Sequence, residues 1–254
     1  MRAPRRFSST PVGPGLDLVV ADCGATDLRA GNVAATYAIA TREIYTHREQ
    51  YRERIVMPDE RSLSVEVAET DDSGRLVETL VLAFGADPLM RWAFPTPAEY
   101  RRRFPEFVEH YAGPAFEAGT AYHVRDGAGV ALWLTPGTEP DEVGLADLLN
   151  SALSADDLEA AWTAFDRVRR SFPDEPRWHL PFVGVDPIHQ GEGYGSALLE
   201  HALERIDRDG AVATLETANP WTLSLYLRYG FEPLEPIRVG SMPPIFPMVR
   251  EPQS

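Results

Sequence analysis

The chain has 254 residues, 44% of them apolar, so it is long enough for one large domain with a sizeable hydrophobic core. Its formal net charge of −15 argues against a nucleic-acid-binding protein, because binding a phosphate backbone normally requires a basic face. All 24 basic residues are arginine, which excludes chemistry that needs a lysine amine, such as a Walker-type phosphate loop, a pyridoxal phosphate Schiff base or a kinase strand lysine.

The cysteine and histidine content argues against a metal site. Cys23 is the single cysteine, so neither an internal disulfide nor a thiolate cluster is available, and the six histidines lack zinc-ligand spacing. This favours a cytoplasmic protein without a bound metal. The apolar run after the basic N-terminus is interrupted by proline and glycine, so we expect neither a signal peptide nor a membrane span.

The first 62 residues are expected to form an extension to the main domain. Residues 1–15 are rich in proline, glycine, serine and arginine, a composition typical of disorder. From Asn32 to Ile55, apolar residues recur at a helical spacing with charged residues between them. We therefore expect residues 1–62 to be partly disordered and to contain an amphipathic helix.

The main domain is predicted to begin at residue 63. The run Leu63-Ser64-Val65-Glu66-Val67 has an apolar residue at every second position, which is typical of a half-buried strand. We assign residues 63–254 to one domain. Because Met57 lies just before this strand, one hypothesis is that the native protein starts there and that residues 1–56 are an upstream extension.

Helical and strand patterns alternate through the first half of this domain. A helix is predicted over residues 74–84, and one or two helices over 97–118, interrupted near Pro105 and Pro114. A hairpin is predicted from residues 120–124 and 130–134, and a single helix from 141–172. Aromatic side chains in this half are candidates for lining a substrate pocket, although most are expected to be ordinary core: Trp92, Phe94, Tyr100, Phe104, Tyr111 and Phe116.

The second half has the order strand, turn, helix, strand, helix. The predicted ranges are a strand over 178–185, a helix over 196–208 and a strand over 211–217. Asn219 is expected to cap the next helix, with Pro220 in its first turn and Gly230 just past its end. A final strand is predicted over 245–249.

The turn between the first of these strands and its helix is rich in glycine. Its sequence is Gly191-Glu192-Gly193-Tyr194-Gly195, and glycine at alternate positions bares backbone N–H groups beside the positive end of the helix. Such a turn suits the diphosphate of a cofactor. The spacing differs from Gly-x-Gly-x-x-Gly and the turn lies late in the chain, so a dinucleotide cofactor is disfavoured.

Two segments together resemble the GNAT superfamily of N-acetyltransferases. Gln190-Gly191-Glu192-Gly193-Tyr194-Gly195 matches the Gln/Arg-x-x-Gly-x-Gly/Ala signature after a strand ending in Val185-Asp186-Pro187. Residues 215–231, with Asn219, Tyr226 and Gly230-Phe231, look like the second signature of that family. The layout over residues 63–250 is similar to puromycin N-acetyltransferase and its actinobacterial relatives.

This resemblance implies a mixed α/β fold. Its mostly antiparallel central sheet would be flanked by helices, with two strands splayed apart where acetyl-CoA binds. It implies Tyr226 as the general acid that protonates the departing thiolate. It implies cofactor contacts from the end of the strand, the glycine turn and the second signature, namely Val183, Gly184, Val185, Gln190, Gly191, Glu192, Gly193, Tyr194, Gly195, Ser196, Asn219 and Tyr226.

The sequence departs from the family pattern at two places. Many relatives supply a glutamate base from the strand before the turn, but Trp178-His179-Leu180-Pro181-Phe182 has no carboxylate, which leaves His179, Glu216 or water as the base. Relatives often have Lys or Arg where this chain has Glu192, and the resemblance places that negative charge beside the diphosphate.

The leading interpretation is an acetyl-CoA-dependent N-acetyltransferase. It would transfer acetyl directly to a primary amine of a small molecule in a ternary complex, and the acidic chain suits a cationic acceptor. No nucleic acid, membrane or metal partner is expected, and a homodimer is an open alternative to a monomer. The alternative function is a catalytically weak acyl-CoA-binding sensor or partner-binding module.

Overall fold

The computed structural model describes residues 63–253, which contain seven strands in one sheet. The strands are β1 (Val65–Val67), β2 (Ala121–Val124), β3 (Gly129–Leu134), β4 (Arg177–Val185), β5 (Val212–Thr217), β6 (Glu232–Pro233) and β7 (Phe246–Arg250). Their order across the sheet is β1-β2-β3-β4-β5-β7-β6. Neighbours pair antiparallel except β4 and β5, which are parallel. The sheet is therefore mixed and mostly antiparallel, as predicted.

Eight α-helices connect these strands in the described part of the chain. They are α1 (Ser73–Ala83), α2 (Pro88–Ala93), α3 (Pro97–Ala112), α4 (Pro114–Glu117), α5 (Glu142–Ala152), α6 (Ala155–Ser171), α7 (Tyr194–Arg208) and α8 (Leu223–Arg228). Within residues 63–253, no helix is both long and apolar enough to cross a membrane.

The helices cover both faces of the sheet. On one face α7 and α8 bury a stripe of apolar side chains against β4 and β5, including Leu199, Leu203 and Leu227. On the other face α1 to α5 form a second core around Phe104 and Phe182. Each large apolar side chain buried in this way contributes about 1.5–3 kcal/mol to folding. The middle of the sheet is thus enclosed on both sides.

The interruption predicted near Pro105 is wrong, because α3 continues through that residue. A proline inside a helix costs about 3 kcal/mol, since it removes one backbone hydrogen bond and crowds the preceding turn. Phe104, Phe107 and Val108 are buried on either side of Pro105, and their packing outweighs that cost. The predicted break at Pro114 is confirmed, since α3 ends at Ala112.

The single helix predicted over residues 141–172 is also wrong, because the structure divides it into α5 and α6. Leu153 and Ser154 adopt extended backbone angles, and the Ser154 hydroxyl accepts a hydrogen bond from the Asp157 N–H at 3.2 Å. Serine followed by acidic residues is a helix-starting signal that the apolar periodicity concealed. The sequence prediction also lacked α2 and the two-residue strand β6.

The N-terminal predictions lie outside the described residues. These are the extension over residues 1–62, its amphipathic helix and the native start at Met57. The assignment of residues 63–254 to one domain likewise stays a prediction.

Candidate active site

β4 and β5 diverge near the middle of the sheet. They pair in parallel over four positions, the last being Leu180 opposite Leu215. Beyond it, β4 stays paired with β3 up to Val185, whereas β5 pairs with β7 up to Thr217. The divergence leaves an opening beside residues 181–185, here called the β4–β5 gap.

A β-bulge in β4 lies where this gap begins. The register with β3 shifts there, so that Leu180 and Pro181 together face the single residue Trp133. Leu180 and Phe182 would share one face of a regular strand, yet Leu180 packs under α7 and Phe182 packs under α3. The bulge therefore reverses the direction of later side chains, and Pro181 offers no N–H to a neighbouring strand.

Beyond the bulge, backbone groups of β4 point into the gap. The Asp186 N–H donates to the Ala128 carbonyl oxygen at 2.8 Å, which fixes the alternation along this antiparallel pair. By that alternation the N–H groups of Val183 and Val185 point away from β3. The Gln190 side chain donates to the Val185 carbonyl oxygen at 3.3 Å, which agrees with this direction. Val183 and Val185 thus lie on a strand edge that β5 does not pair with, where Gln190 occupies the Val185 carbonyl oxygen.

Gly184 lies on the face of β4 that packs against α1. A Cβ placed on it would lie 2.7 Å from the Cβ of Ala83 and 3.0 Å from Cδ2 of Leu80. Only glycine lets α1 approach β4 this closely. The sequence prediction named Gly184 as a cofactor contact, and the geometry explains its residue type by packing.

The glycine turn leads directly from β4 into α7. Gly191 and Gly193 have φ angles of 83° and 87°, which L-residues rarely adopt. The first helical hydrogen bond runs from the Ala197 N–H to the Gly193 carbonyl oxygen at 3.0 Å. The N–H groups of Tyr194, Gly195 and Ser196 therefore have no partner within α7 and suit an anion at its positive end.

The side chain of Glu192 is held by contacts beside this turn. Its carboxylate accepts a hydrogen bond from the Tyr194 hydroxyl at 2.8 Å and lies 3.3 Å from Nδ1 of His189. Arg125, in the β2–β3 turn, donates to the Tyr194 oxygen at 2.9 Å and lies 4.0 Å from the carboxylate. These contacts, led by Tyr194, hold the pKa of Glu192 below its usual range.

The position of the Glu192 carboxylate determines how strongly its charge would repel a bound diphosphate. Arg125 lies on the β3 side of β4, whereas the gap opens on the β5 side. The carboxylate is therefore turned toward the β2–β3 turn and partly neutralised there.

Tyr226 lies in α8, in the core on the α7 face of the sheet, with 7% of its surface exposed. Burial raises the pKa of Tyr226 strongly, and the charges of Asp87 and Glu216 raise it further. Its hydroxyl consequently keeps its proton at neutral pH. Asn219 caps the preceding short helix by accepting a hydrogen bond from the Trp221 N–H at 3.1 Å, as its sequence position predicts.

The two candidate bases lie side by side at the start of the gap. Nε2 of His179 is 3.3 Å from Oε2 of Glu216, and their side chains are 17% and 16% exposed. The Tyr111 hydroxyl donates to Oε1 of Glu216 at 3.0 Å and lies 3.4 Å from Nε2 of His179. Nδ1 of His179 lies 3.0 Å from the Thr214 hydroxyl oxygen. We call these four residues the His179–Glu216 cluster.

The sequence predictions do not name Thr214, and they name Tyr111 only as an aromatic candidate for the substrate pocket. Among the aromatic pocket candidates, Phe94, Tyr100, Phe104 and Phe116 are buried in the core, as expected for most of them. Burial and the Glu216 charge raise the pKa of Tyr111 well above its usual value, so it serves as a neutral hydrogen-bond donor.

Residues on both faces of the sheet therefore surround the β4–β5 gap. The strand edge and glycine turn lead to α7 on one face, where Tyr226 also packs. The His179–Glu216 cluster lies on the opposite face, where Tyr111 packs with α3 side chains and Phe182. Among residues 63–253, no group of three or more His, Cys, Asp or Glu side chains is arranged to hold a metal ion.

Comparison with known proteins matches the same part of the chain. A model of the acetyltransferase (GNAT) domain family matches residues 159–233, from α6 through the glycine turn to β6. An uncharacterized N-acetyltransferase of Schizosaccharomyces pombe is 26% identical over 205 residues, covering 73% of this chain and 82% of the relative.

Solved structures show the same fold. An acetyltransferase from Corynebacterium glutamicum, described as a histone acetyltransferase and related acetyltransferase, has a TM-score of 0.56 at 26% identity, covering 76% of this chain and 98% of that protein. Polyamine N-acetyltransferase of Drosophila melanogaster has a TM-score of 0.53 at 18% identity, covering 74% and 99% respectively. The family match and these neighbours support an acetyltransferase of the GNAT type and confirm the predicted fold class.

Proposed function

We propose that this protein is an N-acetyltransferase that transfers acetyl from acetyl-CoA to a primary amine of a small molecule, by direct attack in a ternary complex. The observation that carries the proposal is that groups suited to each of the two substrates line one gap, on opposite faces of the sheet. A free strand edge and a glycine turn lie on one side, and a partly buried carboxylate and imidazole lie on the other. An acyl donor and an amine can therefore meet without a covalent enzyme intermediate.

The residues around the gap fit acetyl-CoA, which supplies an activated acetyl thioester when bound. Val183 and Val185 would pair with the pantetheine amides as an added strand would. The N–H groups of the turn from Gln190 to Ser196 would hold the diphosphate. A backbone N–H at the free edge would polarise the thioester carbonyl, and such a donor is worth about 3–4 kcal/mol when well placed.

Tyr226 is proposed as the general acid, and His179 and Glu216 as the groups that bind and deprotonate the amine. A carbon–nitrogen bond to the acetyl carbon forms as the carbon–sulfur bond breaks, and the Tyr226 hydroxyl gives the sulfur its proton. A tyrosine hydroxyl, with an ordinary pKa of about 10, carries at neutral pH the proton that this step requires. Asn219 caps the short helix that immediately precedes α8, which carries Tyr226.

The acceptor is proposed to be a cationic small-molecule amine. The net charge of −15 and the carboxylate at the gap favour a cation, and a Drosophila enzyme with this fold forms N-acetylagmatine. Membership of the puromycin N-acetyltransferase-like group and a cytoplasmic location are parts of the same proposal. Whether the protein acts as a monomer or a homodimer is left to a mass measurement in solution.

A panel of primary amines tests the proposal. Each amine is mixed with acetyl-CoA and the protein, and free thiol is detected with and without the amine. At least one small amine should release thiol and yield its acetamide by mass spectrometry. Binding of acetyl-CoA with no thiol release for any amine would instead identify the alternative function, an acyl-CoA sensor or partner-binding module.

A further inference from the structure

Thr214 determines which ring nitrogen of His179 carries a proton. The Thr214 hydroxyl donates its single hydrogen to the Trp178 carbonyl oxygen at 3.2 Å, because a carbonyl can only accept. Its oxygen then accepts from Nδ1 of His179, 3.0 Å away. The opposite arrangement would set the hydroxyl oxygen against the carbonyl oxygen with no hydrogen between them. Neutral His179 is therefore protonated on Nδ1, and Nε2 is a free acceptor.

Tyr111 bonds to only one oxygen of the neighbouring Glu216 carboxylate and leaves the other as an unused acceptor. Its one hydroxyl hydrogen is donated to Oε1 of Glu216 at 3.0 Å, so none remains for Nε2 of His179. Oε2 of Glu216 is buried and makes no hydrogen bond within residues 63–253. Two acceptors, Nε2 of His179 and Oε2 of Glu216, thus face each other at 3.3 Å.

Two facing acceptors of this kind suit a ligand that has only donors. A buried acceptor without a hydrogen bond is costly, and the cost is removed when an N–H group points at it. An ammonium nitrogen about 2.8 Å from each acceptor completes a triangle over the 3.3 Å edge. A primary ammonium can give one hydrogen to each acceptor and keep its carbon substituent directed away from them.

We propose that His179 and Glu216 form a preformed receptor for the ammonium group of the acceptor, with Thr214 and Tyr111 as positioning residues. This inference rests on the proposed function. One ammonium proton passes to Nε2 of His179, which leaves an amine lone pair for attack and an imidazolium paired with Glu216. On attack the nitrogen gives up a second proton, which restores the Tyr226 hydroxyl through solvent, and the imidazolium loses the first proton to solvent. His179 is thereby the base, and Glu216 is the binding carboxylate.

Nitrogen NMR of the full chain labelled in its histidines tests the receptor directly. Assignment of the His179 signals uses the variant His179→Gln. At about pH 8, well above the unperturbed pKa of histidine, Nδ1 should be protonated and Nε2 unprotonated. Methylammonium chloride should shift the Nε2 resonance saturably, whereas tetramethylammonium chloride at equal ionic strength should not, because it is a cation without N–H donors.

Two results of this experiment would overturn the proposal. One is a proton on Nε2 of His179 in the protein without added amine at that pH. The other is an equal response to methylammonium and tetramethylammonium, which would indicate a non-specific charge effect. Neither result depends on turnover, so failure of the receptor and failure of the acetyltransferase assignment can be told apart. If the protein acetylates an amine but Nε2 of His179 carries the proton, only the receptor proposal is refuted.

A pair of Thr214 variants separates positioning from general structure. Thr214→Val removes the hydroxyl that fixes the ring, so the KM for an amine found in the panel should rise about fivefold, as expected for loss of one hydrogen bond. The kcat should fall less than the KM rises, and Thr214→Ser should restore both to within about twofold of the wild type. An unchanged amine KM in Thr214→Val would remove Thr214 from the proposal.

Discussion

At the scale of single residues, Tyr226 is the group whose environment is tied most closely to one chemical step. It is 7% exposed, and burial raises its pKa. Tyr226→Phe should lower kcat about a hundredfold, the lower range for a lost general acid, while the Kd for acetyl-CoA changes less than twofold. Steady-state kinetics and titration calorimetry measure the two quantities.

A matched tyrosine serves as the control for that variant. Tyr122 is 2% exposed, and its hydroxyl contacts Arg205 near the end of α7 far from the glycine turn. Tyr122→Phe should therefore leave kcat within about twofold. An equal kcat for Tyr226→Phe and the wild type would remove Tyr226 from the mechanism.

Glu192 tests whether the charge in the glycine turn affects the cofactor. Because its carboxylate is held by Tyr194 and His189 and lies 4.0 Å from Arg125, Glu192→Gln should change the Kd for acetyl-CoA by less than about twofold at low salt. Titration calorimetry at low and moderate salt measures this effect. A tenfold gain in affinity would show that the carboxylate faces the diphosphate.

The site residues differ in how far the sequence could reveal them. The glycine turn and Tyr226 lie in contiguous motifs, so the spacing along the chain was sufficient. Tyr111 contacts Glu216 across 105 residues, and Thr214 contacts His179 across 35. Those contacts depend on the register of β4 against β5 and on the packing of α3 against the sheet, which no local pattern in the sequence encodes.

At the scale of elements, local signals and tertiary packing compete. The strands and most helices follow their apolar periodicity. Pro105 is tolerated inside α3 because buried neighbours outweigh its cost, whereas the Ser154 cap divides a helix that periodicity alone would continue. The sequence therefore predicted the order of elements better than their interruptions.

The junction between α7 and β7 is expected to be a strong contributor to stability. Arg250 is 3% exposed and makes two hydrogen bonds to Asp207, of 2.6 and 2.7 Å. Asp207→Asn leaves this buried guanidinium without its counter-charge and should lower the free energy of unfolding by about 3 kcal/mol. Urea unfolding at neutral pH measures the difference.

The same ion pair predicts a pH dependence. The Arg250 guanidinium lowers the pKa of Asp207 in the folded state. Its contribution is therefore fully present above the unfolded value of about 3.9 and is lost as pH falls through the lower folded value. The stability difference between wild type and Asp207→Asn should shrink below about pH 4.

Asp166→Asn is the control for the ion pair. Asp166 lies 3.0 Å from Arg170, but both side chains are exposed. This variant should cost less than about 0.5 kcal/mol at neutral pH. Equal losses in the two variants would contradict the assignment of a buried, stabilising pair to Asp207 and Arg250.

At the scale of the whole molecule, the sheet separates the two halves of the proposed reaction. N–H groups without a partner within α7 lie at its start on one face, and the His179–Glu216 cluster lies on the other. The chain carries 39 acidic and 24 basic residues. A free strand edge and a turn rich in N–H groups can bind an anionic donor within this acidic protein, because the dipole at the start of α7 is local.

The overall charge should still affect the arrival of the acceptor. The chain's charge of −15 attracts cations over distances that salt shortens, with a Debye length of about 10 Å at 0.1 M. If 1,4-diaminobutane and butylamine are both acceptors, the kcat/KM of the diamine should fall about three- to tenfold between low salt and about 0.3 M NaCl. That of the monoamine should fall less, because it carries half the charge. Equal salt dependence for the two amines would show that steering by the whole molecule contributes nothing to acceptor choice, which would then be decided by contacts within the β4–β5 gap.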